Sequence, residues 1–375
     1  MSTPEFDFVT PIERRGTASL KWQRYEEQDI LPMWVADMDF AAPPAVKKAL
    51  RQAVERGVFG YGEIPSGLID TFVAWCAEQY HWAIEAEWLV WLPGVVPGLH
   101  LAIEAELAPE AGLAVPQPVY PPIRQLGRLR ARPLVSVPCE ATDWTPYLTD
   151  ATQALVLCHP HNPSGQVATR ADLEQLAQLA LERDLLVISD EIWADLLLDP
   201  QQRHLPFAAL NPDAAARSIT LMAPSKTFNI AGLSCAVAII PDPERRARFR
   251  RQMRGMMPDM NYLGLLAAQA AWQEGAAWLA ALKQQLNANL DQLEHWLQDY
   301  PEIGYTRPQA TFVAWLDLRQ LGLNEQDFLE GGVALSPGEA FGTDGYLRLN
   351  FGCPSAQLDA ALQRMARVIQ ARRGS

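Results

Sequence analysis

Short runs of uninterrupted apolar residues alternate with longer stretches in which apolar positions recur every three or four residues. Segments 88–92, 112–115, 154–158, 185–189, 219–222 and 236–240 are of the first kind and predict strands. Between them, 96–107 and 169–183 have helical spacing, the latter through Leu173, Leu176, Leu179 and Ala180. Thr169 with Asp172 predicts a helix N-cap with an acidic third residue, short of a true capping box. Strands this apolar, separated by helices, predict a parallel sheet covered on both faces. A long helix follows over 262–296 with a break near Gly275, then a strand at 311–316, a helix at 324–331, a strand at 346–350 and a closing helix at 355–372. That order predicts a smaller α+β domain after the sheet. The expected division is an irregular, proline-rich segment 1–44 packed with the small domain, a large domain 45–275 and a small domain 276–375.

Composition agrees with two packed domains: the chain has 375 residues, of which 49% are hydrophobic and 20% charged. The formal net charge is -13, and this acidic balance argues against a nucleic-acid partner. Five cysteines (Cys76, Cys139, Cys158, Cys235, Cys353) are odd in number and widely spaced, which predicts buried thiols in a reducing compartment. Residues 1–12 are polar and broken by Pro4 and Pro11, and no apolar stretch is long enough to cross a bilayer. A soluble cytoplasmic protein without a membrane partner is therefore expected. His159 and His161 lack further ligands nearby, so turn histidines are expected and no metal. Residues 94–98 do not reproduce Gly-x-Gly-x-x-Gly, which argues against a nicotinamide dehydrogenase.

Candidate chemistry lies just past strand ends, where open α/β sheets place it. The lysines are Lys21, Lys47, Lys48, Lys226 and Lys283, and four of them are expected on polar or helical surface. Lys226 alone sits between two apolar strands, where an unpaired charge is costly and a depressed pKa suits Schiff-base chemistry; a snorkelling loop lysine is the alternative. Asp190 follows strand 185–189 and suits a pyridinium partner, or a helix cap or salt bridge. Asn162, in His159-Pro160-His161-Asn162-Pro163-Ser164-Gly165, suits a hydrogen bond to a phenolic oxygen, or a turn. One helix and its return strand fit between Asn162 and Asp190, and again between Asp190 and Lys226, so all three reach one crevice. Arg348, in an apolar strand, has the planar fork that fits a carboxylate, with a structural salt bridge as the alternative. Gly94, Val95 and Val96 stand where a strand turns into a helix, which suits a phosphate with Ser225 adding a hydroxyl, or an ordinary strand-to-helix turn.

Asn162-Pro-x-Gly, Asp190-Glu191 and Ser225-Lys226, in this order and spacing, resemble the fold type I pyridoxal-phosphate (aspartate aminotransferase-like) family. Segments 33–40, 59–61, 93–98, 223–233 and 346–351 resemble its branch of cystathionine β-lyases and C–S lyases, which includes the maltose-regulon modulator. The resemblance implies an α/β fold with a mostly parallel large sheet and a smaller α+β domain. It also implies pyridoxal 5'-phosphate on Lys226, a stacking role for Tyr120, and a homodimer in which Tyr61 reaches the partner's phosphate. Ala36 is implied as a backbone contact to the substrate carboxylate. Three positions depart from the broader pattern: Trp193 replaces a tyrosine that donates to the phenolic oxygen, Ala223 a phosphate-binding serine and Ser234 a phosphate-binding arginine. The implied reaction is α,β-elimination from cystathionine or another cysteine S-conjugate, giving thiol, pyruvate and ammonia. An aminotransferase acting on an amino acid uses the same core residues, and a regulatory protein with a binding partner is a non-enzymatic alternative.

Overall fold

The computed structural model describes residues 6–374, so the start of the polar N-terminal stretch, including Pro4, lies outside the described residues. Seven strands form the main sheet, in the order Leu89–Leu92, Ala236–Ile239, Ser218–Met222, Leu186–Asp190, Thr152–Cys158, Gly112–Gln117 and Leu134–Pro138. Five neighbouring strands, from Ser218–Met222 to Leu134–Pro138, run parallel. Ala236–Ile239 departs from the expected parallel pattern, pairing antiparallel with both of its neighbours. The strand beginning at Gly112 continues through Pro116 to Gln117, paired with the edge strand Leu134–Pro138.

Alternation along the strands explains why both faces are covered. Ala154, Val156 and Cys158 enter one apolar cluster with Leu99 and Phe249, from helices Val95–Glu106 and Pro243–Met253. Leu155 and Leu157 enter another with Leu173, Leu176 and Ala180 of helix Arg170–Glu182. Gly98 lies where an added Cβ would meet side-chain carbons of Leu92 and Leu221 at 2.8 and 2.9 Å, so a glycine is needed for the helix to sit close on the sheet. The start of helix Arg170–Glu182 corrects the sequence expectation. Asp172 accepts from the Thr169 N–H at 2.8 Å while Thr169 Oγ accepts from the Asp172 N–H, a full capping box that the extended Thr169 backbone brings within reach of the short aspartate.

Helices Tyr262–Glu274 and Ala276–Leu297 meet at Gly275. A four-stranded antiparallel sheet follows, in the order Ser336–Pro337, Tyr346–Asn350, Val313–Asp317 and Gly304–Tyr305. Leu31–Pro32 pairs in parallel with Val333–Ala334, which ties the N-terminal segment to this C-terminal part.

Lys21 corrects another expectation. It is fully buried, not on the surface, with Nζ 2.8 Å from Asp39 Oδ2. Asp39 also accepts from Arg14, Trp22 and Gln357, so the buried ammonium faces a carboxylate held by three further donors. This network anchors residues 33–40 beside the strand ends described next.

Candidate active site

Register brings the candidate residues to one edge of the sheet. Cys158 pairs with Asp190 and Asp190 with Leu221, so the turns that follow these parallel strands open on the same side. Asn162, Asp190 and Lys226 all line one cavity of about 590 Å³. Its wall also includes Ala36, Gly94, Val95, Val96, Tyr120, Trp193, Ser225 and Arg348, together with the departing positions Ala223 and Ser234. Tyr61 does not line it; its side chain is 96% exposed on the surface.

Lys226 belongs to the short helix Pro224–Thr227 that starts just beyond strand Ser218–Met222. Its Nζ donates to the Ala36 carbonyl at 2.6 Å and lies 5.7 Å from the centre of the Trp193 ring. No carboxylate forms an ion pair with it among the described residues. Burial, joined by the nearby Arg348 charge, brings its pKa down to about 8. Asp190 is the converse, a buried carboxylate whose Oδ1 accepts, among the described residues, only the Ile192 N–H at 3.2 Å. Burial pushes it up to about 7, with Glu191 adding to the rise.

Arg348 projects from the middle of strand Tyr346–Asn350. Nη1 donates to Asn162 Oδ1 at 2.8 Å and Nη2 to the Trp34 carbonyl at 2.9 Å, while Nε has no partner among the described residues. No salt bridge to an acidic core residue is present among the described residues; neutral oxygens hold the fork. Because a guanidinium only donates, this contact fixes Oδ1 of Asn162 as the acceptor and leaves its NH₂ as the available donor. Tyr120 donates its backbone N–H to the Asn162 carbonyl at 3.0 Å, which ties the two cavity turns together. Burial raises the Tyr120 pKa, so its hydroxyl is a proton donor at neutral pH.

Helix Val95–Glu106 begins at the cavity with Gly94 as its N-cap. The Val95 and Val96 N–H groups lie in its first turn, where no intrahelical acceptor exists, and the helix dipole favours an anion there. Pro97 has no backbone N–H, so Val95 and Val96 supply the free amides of this first turn.

Two residues escaped the sequence reading. Asn229, at φ 55, has its side chain bonded in both directions to residues 38–40: Nδ2 donates to the Met38 and Phe40 carbonyls, and Oδ1 accepts from the Met38 N–H. Asn350 donates to the Val35 and Asp37 carbonyls. Together they clamp the peptide that accepts the Lys226 hydrogen bond. Asn is among the few non-glycine residues at home in the left-handed region, so Asn229 carried a local signal; Asn350, a lone amide closing an apolar strand, carried another.

Comparison with known proteins matches residues 28–365 to the family described as aminotransferase class I and II. Cystathionine beta-lyase PatB of Bacillus subtilis (strain 168) is 36% identical over 376 residues, covering 94% of this chain and 97% of its own. The crystal structure of OvoB superposes with a TM-score of 0.93 at 42% identity, covering 97% of this chain and 99% of that one. Cystalysin from Treponema denticola, solved with pyridoxal 5'-phosphate, has a TM-score of 0.90 at 28% identity, covering 98% and 99% of the two chains.

Proposed function

The chain belongs to the class I and II aminotransferase family, and within it we propose that the protein is a pyridoxal-phosphate-dependent C–S lyase that removes the sulfur substituent of a cysteine S-conjugate by α,β-elimination. The observation that carries this is the cavity holding the half-buried Lys226 and the buried Asp190 and Arg348, none with an ion-pair partner among the described residues. The direction of the reaction follows PatB, a cystathionine beta-lyase.

The residues fit the cofactor. A half-buried lysine whose amine donates to a neutral carbonyl, and a buried carboxylate with no ion pair among the described residues, both carry desolvation costs. A covalent carbonyl partner on Lys226 relieves the first, and a protonated ring nitrogen at Asp190 relieves the second. Val95, Val96 and Ser225 would hold the phosphate, Asn162 the phenolic oxygen, and Tyr120 and Trp193 would flank the ring. Bound there, pyridoxal phosphate supplies an electron sink for the pair released when the substrate's Cα–H bond breaks.

The chain's own groups then have separable tasks. Arg348 binds the substrate carboxylate, with Asn162 and the Trp34 carbonyl fixing the guanidinium. The Ala36 carbonyl, 2.6 Å from Lys226 Nζ, aims the amine. With its pKa lowered to about 8, the Lys226 amine is a competent base for the substrate's α-proton near neutral pH. Expulsion of the thiolate from the β-carbon completes the elimination, and the net reaction consumes one water and yields thiol, pyruvate and ammonia. Tyr61 and the neighbouring Val54, Val58 and Phe59 are exposed apolar or aromatic side chains on one stretch of chain. A second subunit covering them completes the site, so a homodimer is part of the proposal. No helix among the described residues is long and apolar enough to cross a membrane. The five cysteines are free thiols, which supports a cytoplasmic location.

Lys226→Ala tests the assignment. The variant is expected to fold, to lose borohydride-trappable attachment of the cofactor, and to release no pyruvate from L-cystathionine. Wild-type turnover in that variant would overturn it.

A further inference from the structure

We propose that Arg24 and Glu325 form a distal subsite for the zwitterionic amino-acid head group at the far end of the substrate's sulfur substituent. This rests on the lyase reading above. Five charged side chains line the cavity, and the chemistry employs only Asp190, Lys226 and Arg348. Arg24 and Glu325 are left over on the same wall.

Each is held in place yet has its polar atoms free. The Arg24 guanidinium lies 4.9 Å from the centre of the Trp34 ring and 5.6 Å from that of Tyr25, and it makes no hydrogen bond to a described residue. Stacking fixes the plane of a guanidinium while leaving its N–H edge available for a carboxylate. Glu325 is the first residue of helix Glu325–Glu330, whose cap is supplied by Asn324 with Asp327, so its own carboxylate is not needed there. The two side chains feel one another: partial burial raises the Glu325 pKa, the Arg24 charge opposes that rise, and the Glu339 charge adds to it. They nonetheless form no ion pair. A cation and an anion on one wall, with no ion pair to a described residue, are the complement of an ammonium and a carboxylate on one carbon.

Trp34 links this pair to the reacting end. Its carbonyl accepts from Arg348 Nη2 at 2.9 Å while its indole carries Arg24. One residue therefore sets the separation between two guanidiniums on a common wall. A substrate with an amino-acid group at each end engages both, and a simple S-alkylcysteine engages only Arg348.

Steady-state pyruvate release by the cofactor-loaded enzyme tests this with Arg24→Gln and Glu325→Gln. Four substrates separate the two contacts: L-cystathionine, S-(2-carboxyethyl)-L-cysteine, S-(2-aminoethyl)-L-cysteine and S-ethyl-L-cysteine. Arg24→Gln is expected to lower kcat/KM about tenfold to a hundredfold for the first two, the size of a lost charge-assisted hydrogen bond, and to leave the others unchanged. Glu325→Gln is expected to do the same for L-cystathionine and the aminoethyl compound only. Equal effects on all four substrates, or none on any while the wild type turns over, would overturn the subsite and leave the lyase reading standing. A wild type that releases pyruvate from none of the four would remove the lyase reading and the subsite with it.

Discussion

Replacing Arg348 with lysine keeps the charge and removes the fork. In the structure Nη1 reaches Asn162 Oδ1 at 2.8 Å and Nη2 reaches the Trp34 carbonyl at 2.9 Å from opposite parts of one rigid plane. A single ammonium cannot satisfy both acceptors and still present two parallel donors to a carboxylate. The lost charge-assisted hydrogen bond to substrate is worth about 1.5–3 kcal/mol, while leaving Asn162 Oδ1 without its donor costs about 1–3 kcal/mol of folding stability. The first of these corresponds to a loss in kcat/KM on the order of 10- to 10²-fold. The substrate carboxylate keeps its charge from ground state to transition state, so most of the loss belongs in KM. The assay is pyruvate release from L-cystathionine across a concentration series, with the visible spectrum confirming that the variant is loaded. Loss confined to kcat at an unchanged KM would refute the assignment of Arg348 to the carboxylate.

The other predictions concern charge. Lys226 has its pKa lowered to about 8, so the rate at which pyridoxal phosphate attaches to cofactor-free protein should rise with pH up to that value and then level off; stopped-flow absorbance measures it, and a rate still rising at pH 10 would contradict it. Asp190 has a folded pKa raised to about 7, so its contribution to folding is present below its unfolded pKa and is lost as pH rises through 7. Asp190→Asn should therefore stabilise the cofactor-free protein at pH 8 by a few kcal/mol and much less at pH 5, while weakening cofactor binding; urea melts at the two pH values decide it. Asp39→Ala strands the fully buried Lys21 and should cost about 3–5 kcal/mol, read as a lower urea midpoint.

The parts of the fold legible in sequence are those where burial leaves a periodic mark. Strands such as Leu186–Asp190 and Thr152–Cys158 are covered on both faces and read as apolar runs. Helix Pro243–Met253 left no such mark: its sequence is dominated by arginines, and it buries only Phe249 and Arg246. Strand direction is likewise absent from an apolar run, so the antiparallel Ala236–Ile239 read as parallel. At the site, Asn162, Asp190 and Lys226 were readable because each lies at or just past a strand end, and parallel register does the rest. Lys21 with Asp39, and Asn229 with Met38 and Phe40, join residues far apart or in irregular backbone. Only the folded chain brings those partners together.

β-Elimination in this cavity with Lys226 as the base is the proposed reaction. Its most direct test counts pyruvate and thiol released from L-cystathionine by cofactor-loaded enzyme with no keto acid added. Equal amounts of the two products, accumulating over many turnovers, are predicted. A single equivalent of keto acid per site, with the amino group retained on the cofactor and no thiol, would contradict the claim and make the protein an aminotransferase.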